Sequence, residues 1–180
     1  DFLMGSLLDI DEEIKLTVLD DDRLSGMGTT LTAIALYRDR AYVLHAGDSR
    51  AYRLRGKELQ QITKDHSVVQ ELIDSGAITE AEAAFHPQRS VLTNVLMGQG
   101  NITPLLVSYE VKPGDKFLIC SDGLNTVVSN DEISAALKGD DVISKLVELT
   151  YERGAPDNVT VILAEVGQSD TATEFLGAAK

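Results

Sequence analysis

Cysteine is almost missing from this chain of 180 residues, where Cys120 stands alone. A single thiol closes no internal disulfide, and without a second cysteine it argues against a zinc site. The expected compartment is a reducing cytoplasm. Long apolar runs are missing too. None approaches the ~18 residues of a membrane span, and no basic stretch followed by an apolar one marks a secretion leader. A membrane partner is therefore not expected. Basic side chains are scarce, with 16 Lys and Arg against 29 Asp and Glu and a formal net charge of -13. Such a surface repels phosphate backbones, so nucleic acid is excluded as an expected partner. There is no internal repeat, linker or low-complexity stretch. What remains is an ordinary globular composition, 43% hydrophobic and 25% charged. The length suits one large domain that buries roughly two-thirds of its unfolded surface and needs no staple.

The hydrophobic pattern gives a succession of short elements. Leu7, Ile10, Ile14 and Val18 recur at helical spacing, although Ile14, Leu16 and Val18 also alternate. Asp20-Asp21-Asp22 closes that segment as a solvated loop. Thr29 to Tyr37 alternates and is rich in Thr, Ile and Leu, which predicts a strand. Further strands follow at 41–46, 52–54 and 59–62, with turns between them, as in an antiparallel meander. Asp65 to Ser75 predicts a helix with Gly76 beyond its end, and Thr79/Glu82 a capping box on a short one. Residues 77–95 are less regular and suit a surface flap. Leu105 to Val111, Lys116 to Cys120 and Val159 to Val166 predict strands. Ser129 to Leu137 and Asp140 to Arg153 predict helices. Residues 167–180 are small and polar and are expected to fray. Strands followed by helices give an α+β class.

Chemistry is suggested where apolar strands end in an aspartate. Phe117-Leu118-Ile119-Cys120 runs into Ser121-Asp122-Gly123. Pro156-Asp157-Asn158 precedes Val159-Thr160-Val161-Ile162, and Ile62-Thr63-Lys64 precedes Asp65-His66. Carboxylates without thiolates suit hard cations such as Mg²⁺ or Mn²⁺. Each aspartate also has a purely structural reading. Asp65 could cap the helix that follows it, and Asp122-Gly123 and Pro156-Asp157-Asn158 are both common turns. His45, His66 and His86 show no metal-ligand spacing, and His45 sits in an apolar strand as a core residue would. Gly47-Asp48-Ser49 invites a serine-esterase reading, but no histidine follows residue 86 to activate a nucleophile in the order such enzymes use.

In order along the chain stand Gly26-Met27-Gly28-Thr29-Thr30-Leu31-Thr32, His45-Ala46-Gly47-Asp48-Ser49-Arg50-Ala51-Tyr52 and Ile62-Thr63-Lys64-Asp65-His66. His86-Pro87-Gln88-Arg89-Ser90, Cys120-Ser121-Asp122-Gly123-Leu124 and Gly154-Ala155-Pro156-Asp157-Asn158-Val159-Thr160 complete the series. Together the six blocks resemble the metal-dependent protein Ser/Thr phosphatases of the PP2C (PPM) family in their bacterial form, over residues 26–166. The resemblance implies two packed antiparallel sheets flanked by helices, with residues 1–25 as a helix and acidic loop of the same domain. It implies Mn²⁺ or Mg²⁺ in two to three sites, with Asp122 and Asp157 as ligands and Asp65, with Asp122, at a third, weaker site. His86 and Arg89 fall in the flap at 77–95, and Asp48 and Asn158 in supporting motifs. The implied reaction is hydrolysis of phosphoserine and phosphothreonine in proteins by a metal-activated water, with the phosphorylated substrates of Ser/Thr kinases as partners.

The resemblance also shows what residues 1–25 do not contain. The family's phosphate-binding Arg, its Asn-Glu-Asp segment and its Asp-Gly-Met-Gly-Gly-His block, with the proposed general acid nearby, have no counterpart there. The domain is thus expected to be incomplete at its N-terminus. A catalytically impaired, phosphoprotein-binding pseudophosphatase stands as the alternative reading. A dimer is the expectation if sheet edges left unpaired by the missing segment seek partners.

Overall fold

Phe2–Asp20 form helix α1, so the 3.6-residue spacing of this segment prevails over its alternation. The computed structural model describes residues 2–167 and the backbone of residues 173–179. Asp20 ends α1, and Asp21 caps a single 3-10 turn, Asp22–Leu24, and pairs with Arg23 at 2.7 Å. The acidic triplet is therefore local punctuation, as its composition suggested. The remaining elements are strands β1 (Leu31–Tyr37), β2 (Arg40–Ala46), β3 (Arg50–Arg55) and β4 (Glu58–Gln61) and helices α2 (Val68–Asp74) and α3 (Glu80–Ala83). After these come β5 (Leu105–Glu110), β6 (Lys116–Cys120), α4 (Asp122–Asn125), α5 (Asn130–Leu137), α6 (Val142–Glu152), β7 (Thr160–Val166) and β8 (Thr173–Ala179).

Two antiparallel sheets with flanking helices result, as expected. One has the order β1-β2-β5 and the other β4-β3-β6-β7-β8. The chain divides into two compact units, one of residues 1–34, 42–48 and 64–107, the other of 35–41, 49–63 and 108–180.

In the second unit, β6 is central. Arg50 lies opposite Cys120 across the β3 pairing, and Cys120 opposite Val161 across the β7 pairing. Its buried face joins Tyr52, Leu118 and Val161 to Leu124, Ile133, Leu137 and Leu146 from the helices. The α5 capping box is formed as the sequence indicates, Ser129 Oγ accepting from the Glu132 amide and Glu132 accepting from the Ser129 amide.

In the first unit, Leu7 of α1 packs with Leu44, Ala46 and Leu96. One turn beyond Leu7, Asp11 is also buried, and its carboxylate accepts from the amides of Met97, Gly98 and Gly100 at 3.0, 2.7 and 2.9 Å. Gly98 has φ +72, and a Cβ there would lie 2.5 Å from the Lys15 Cα, so the loop lies against the helix backbone where only glycine fits.

Three expectations need correction. Asp65 does not cap α2: Ser67 does, accepting from the Gln70 amide at 3.3 Å, and Asp65 lies in irregular chain two residues before it. Asp122-Gly123 is not a turn but the first turn of α4. Thr173–Ala179 does not fray, because it pairs along β7 from Thr173 opposite Val166 to Ala179 opposite Thr160. The rest of that expected tail, at 168–172 and 180, lies outside the described residues.

Candidate functional site

In the second unit, the ends of β6 and β7 bring two of the predicted aspartates onto adjoining loops. Ser121, at the N-cap of α4, makes no side-chain bond to its own helix. Its hydroxyl reaches across instead, donating to the Asn158 carbonyl at 3.3 Å and accepting from the Thr160 amide at 3.0 Å. The Ser121 amide donates to the Thr160 carbonyl at 3.0 Å, extending the pairing of β6 with β7 beyond both strands. Gly123 closes the junction, since a Cβ there would lie 2.2 Å from the Asn158 oxygen and 3.4 Å from the Asp157 oxygen. Only a residue without a side chain lets the two loops approach this closely. Asp122 is half-buried and Asp157 exposed, with one Asp157 oxygen accepting from the Asn158 amide at 2.7 Å. The neighbouring thiol, Cys120, is buried in the core. The junction thus offers carboxylate oxygens and no sulfur, the donor chemistry of Mg²⁺ and Mn²⁺.

In the first unit, Asp65 is half-buried and held by its neighbours in sequence. The imidazole of His45 lies 3.0 Å from the Lys64 carbonyl and 2.9 Å from the Thr32 hydroxyl. The His66 amide donates to the Gly47 carbonyl at 2.8 Å, and His66 Nδ1 lies 3.3 Å from the Gly47 amide and 3.1 Å from the Asn94 side-chain nitrogen. Burial pushes the His45 imidazole down to about 4, and the nearby His66 adds to the effect. Burial lowers His66 as well, against the pull of Asp65 and Glu71. Both rings are therefore neutral at pH 7. Lys64 points away into an exposed ion pair with Asp74 at 2.6 Å.

Asp48 is half-buried at the break between β2 and β3. In the flap, His86 accepts from the Gln88 amide at 3.2 Å and so shapes its own turn, while Arg89 is exposed. Among the described residues, neither unit gathers three or more His, Cys, Asp or Glu side chains that could hold a metal ion. The structure thus brings the Asp122 and Asp157 loops together, while Asp65 belongs to the other unit.

Sequence reasoning passed over Asp11, Thr32 and Asn94. Asp11 carried a signal, an acid on the Leu7–Ile14 face of an amphipathic helix, where an unpaired charge is costly. Thr32 and Asn94 gave none, because their bonds join segments distant in the chain.

Residues 7–165 match the family model of Protein phosphatase 2C. The chain belongs to this family. Serine/threonine protein phosphatase PstP of Mycobacterium tuberculosis is 48% identical over 150 residues, which are 82% of this chain and 29% of PstP. The chain therefore spans under a third of that relative's length. The solved structure of the S. agalactiae serine/threonine phosphatase superposes with a TM-score of 0.86 at 37% identity, covering 92% of this chain and 70% of that one. The catalytic domain of PstP in complex with two manganese ions superposes with a TM-score of 0.80 at 42% identity, covering 88% and 67%.

Proposed function

We propose that this chain is part of a protein serine/threonine phosphatase that hydrolyses phosphoserine and phosphothreonine with the help of Mn²⁺ or Mg²⁺. The observation that supports the reading best is the junction at Gly123, where the Asp122 and Asp157 loops are locked by Ser121 and by the contact with Asn158. The two manganese ions in the PstP complex support the choice of cation. Substrates are phosphorylated proteins, and the compartment is the cytoplasm, in keeping with a sequence that holds one cysteine.

In this reading Asp122 and Asp157 hold one divalent ion and Asp65 contributes to a weaker one. A bound divalent ion supplies Lewis acidity, which makes water a nucleophile near neutral pH and offsets charge on the phosphoryl group. The chain's own part is to present hard oxygen donors on loops tied together by hydrogen bonds. Two strands fix the Asp122 and Asp157 loops from behind, and the Ser121 hydroxyl ties one loop to the other. Asn158 supports the junction through its carbonyl, and Asp48 stands half-buried at the break after β2. Arg89 on the flap offers an exposed cation to an anionic phosphopeptide, next to His86. No group here acts as nucleophile, and the Ser49 esterase reading has no role.

The test is release of phosphate from a phosphothreonine peptide by the complete gene product with Mn²⁺. Asp122→Asn and Asp157→Asn are each expected to lower kcat by about a hundredfold or more, and a chelator to abolish turnover. Full turnover in either variant, or in the presence of chelator, would overturn the metal mechanism.

A further inference from the structure

His45 is an odd occupant for its position. It stands in β2 between Leu44 and Ala46, with none of its surface exposed. An apolar side chain would fill that space without burying two polar nitrogens. Yet both nitrogens are used. The Lys64 carbonyl can only accept, so Nε2 carries the hydrogen and donates to it at 3.0 Å. Nδ1 is then the acceptor for the Thr32 hydroxyl at 2.9 Å. The carbonyl thus selects the tautomer, and the Thr32 hydroxyl, free to donate, satisfies the nitrogen left as acceptor.

The peptide on the other side of Asp65 is fixed from the same strand end. The His66 amide donates to the Gly47 carbonyl at 2.8 Å, and the His66 carbonyl accepts from the Thr93 amide at 2.9 Å. The His66 ring, 4.8 Å from that of His45 between centroids, accepts from the Gly47 amide. Asn94 joins the same ring nitrogen to the Thr103 carbonyl through its side-chain nitrogen, at 3.1 and 2.6 Å. Every one of these bonds ends on a residue flanking Asp65 or on the support of one.

We propose that His45 is a positioning residue: through the Lys64 carbonyl it sets the backbone of Asp65, so that this carboxylate is pre-arranged to accept a divalent cation. The proposal rests on the reading of Asp65 given above. A positioned carboxylate binds without first ordering its own loop, the usual advantage of hydrogen bonds behind a metal ligand.

The experiment compares His45→Phe, which keeps a ring but has no nitrogen, with His45→Gln, whose side-chain amide can still donate to the Lys64 carbonyl. Amide hydrogen exchange and Mn²⁺-induced broadening are followed by NMR on the 180-residue chain. In His45→Phe the His66 and Thr93 amides are expected to exchange about tenfold faster, while the Leu96 amide, bonded to Thr29 in the same unit, keeps its rate. The Mn²⁺ concentration that half-broadens the Asp65 signal is expected to rise about tenfold, with the Asp122 and Asp157 signals unmoved, and His45→Gln to restore much of both. Wild-type exchange at His66 in the Phe variant overturns the proposal, as does an equal loosening of Leu96. If the Phe variant does not fold, Thr32→Val serves. It removes the donor to Nδ1 while the Lys64 carbonyl still holds hydrogen on Nε2, so it should shift the His45 Nδ1 signal and speed exchange at His66, and an unchanged exchange rate overturns the proposal. If Mn²⁺ broadens nothing in the unsubstituted chain, the cation reading of the previous section fails, while the exchange rates still decide whether His45 holds the loop.

Discussion

At the scale of single residues, close approach decides most about this protein. Gly123 has no positive φ to excuse it, being the second residue of a helix, so its reason is contact alone. Gly123→Ala would drive a methyl group into the Asn158 carbonyl, and backbone does not yield as a side-chain tip does. The variant should lose about 1–3 kcal/mol in urea unfolding, the usual range for overpacking. Amide shifts should concentrate at Asp157–Val159. A variant as stable as the parent, with shifts elsewhere, would show that the junction is not tight. The same residues define what could be read from sequence. Asp122, Asp157 and Asp65 stood out because each follows or precedes an apolar strand, but their grouping came from the order of six motifs. The partners of His45 were invisible, because Thr32 and Lys64 meet it only after β1 and β2 are paired and the chain has returned past β4. Its burial suggested a core residue, which is right about the ring and silent about the nitrogens.

At the scale of elements, local rules worked wherever the signal was local. The α5 and α3 capping boxes formed at the residues that carry the Ser/Thr-x-x-Glu pattern, since each needs only four consecutive residues. Ser129→Ala removes the cap acceptor and should cost about 1 kcal/mol in thermal unfolding. It also takes a hydroxyl from Glu132, which bonds Arg153 as well and whose carboxyl is held down to about 2, first by that arginine and then by Ser129. No loss of stability would mean that Arg153 alone fixes the start of α5. The start of α2 was misread because two good caps, Asp65 and Ser67, lie two residues apart. Propensity does not separate them, and the bridge of Ser67 to Leu92 places the helix start at the second. Helix α4 was missed because four residues show no period. Strand β8 was missed because its apolar residues, Phe175 and Leu176, are adjacent and do not alternate, and it exists by pairing with β7.

At the scale of the whole molecule, acid should undo the fold in two stages. His45 is lowered to about 4 in the folded chain, against an ordinary value of 6.5. The unfolded chain therefore binds that proton first. The stability His45 contributes by staying neutral is complete above pH 6.5 and is lost progressively as the pH falls toward 4. Asp115 follows. Burial pushes its carboxyl up, but the two bonds from Arg55, at 2.8 and 2.6 Å, and one from the Lys112 amide outweigh burial and leave it below the usual carboxylate range. Its contribution is present above about 3.8 and disappears as the pH drops through its lowered value. Thermal melts should thus show Tm falling between pH 6.5 and 4, and further below that. His45→Gln should flatten the first stage and Arg55→Met the second. A parent Tm that does not change from pH 7 to 4 would refute the neutral buried histidine.

The claim on which the functional account turns is that Asp122 and Asp157, locked together at Gly123, take hold of a divalent cation. Calorimetric titration of Mn²⁺ into the 180-residue chain tests it most directly. The account predicts saturable binding in the parent and its loss in the Asp122→Asn, Asp157→Asn double variant, with the melting curve of the metal-free chain little altered. Equal binding by parent and double variant, or no binding by the parent, would contradict it.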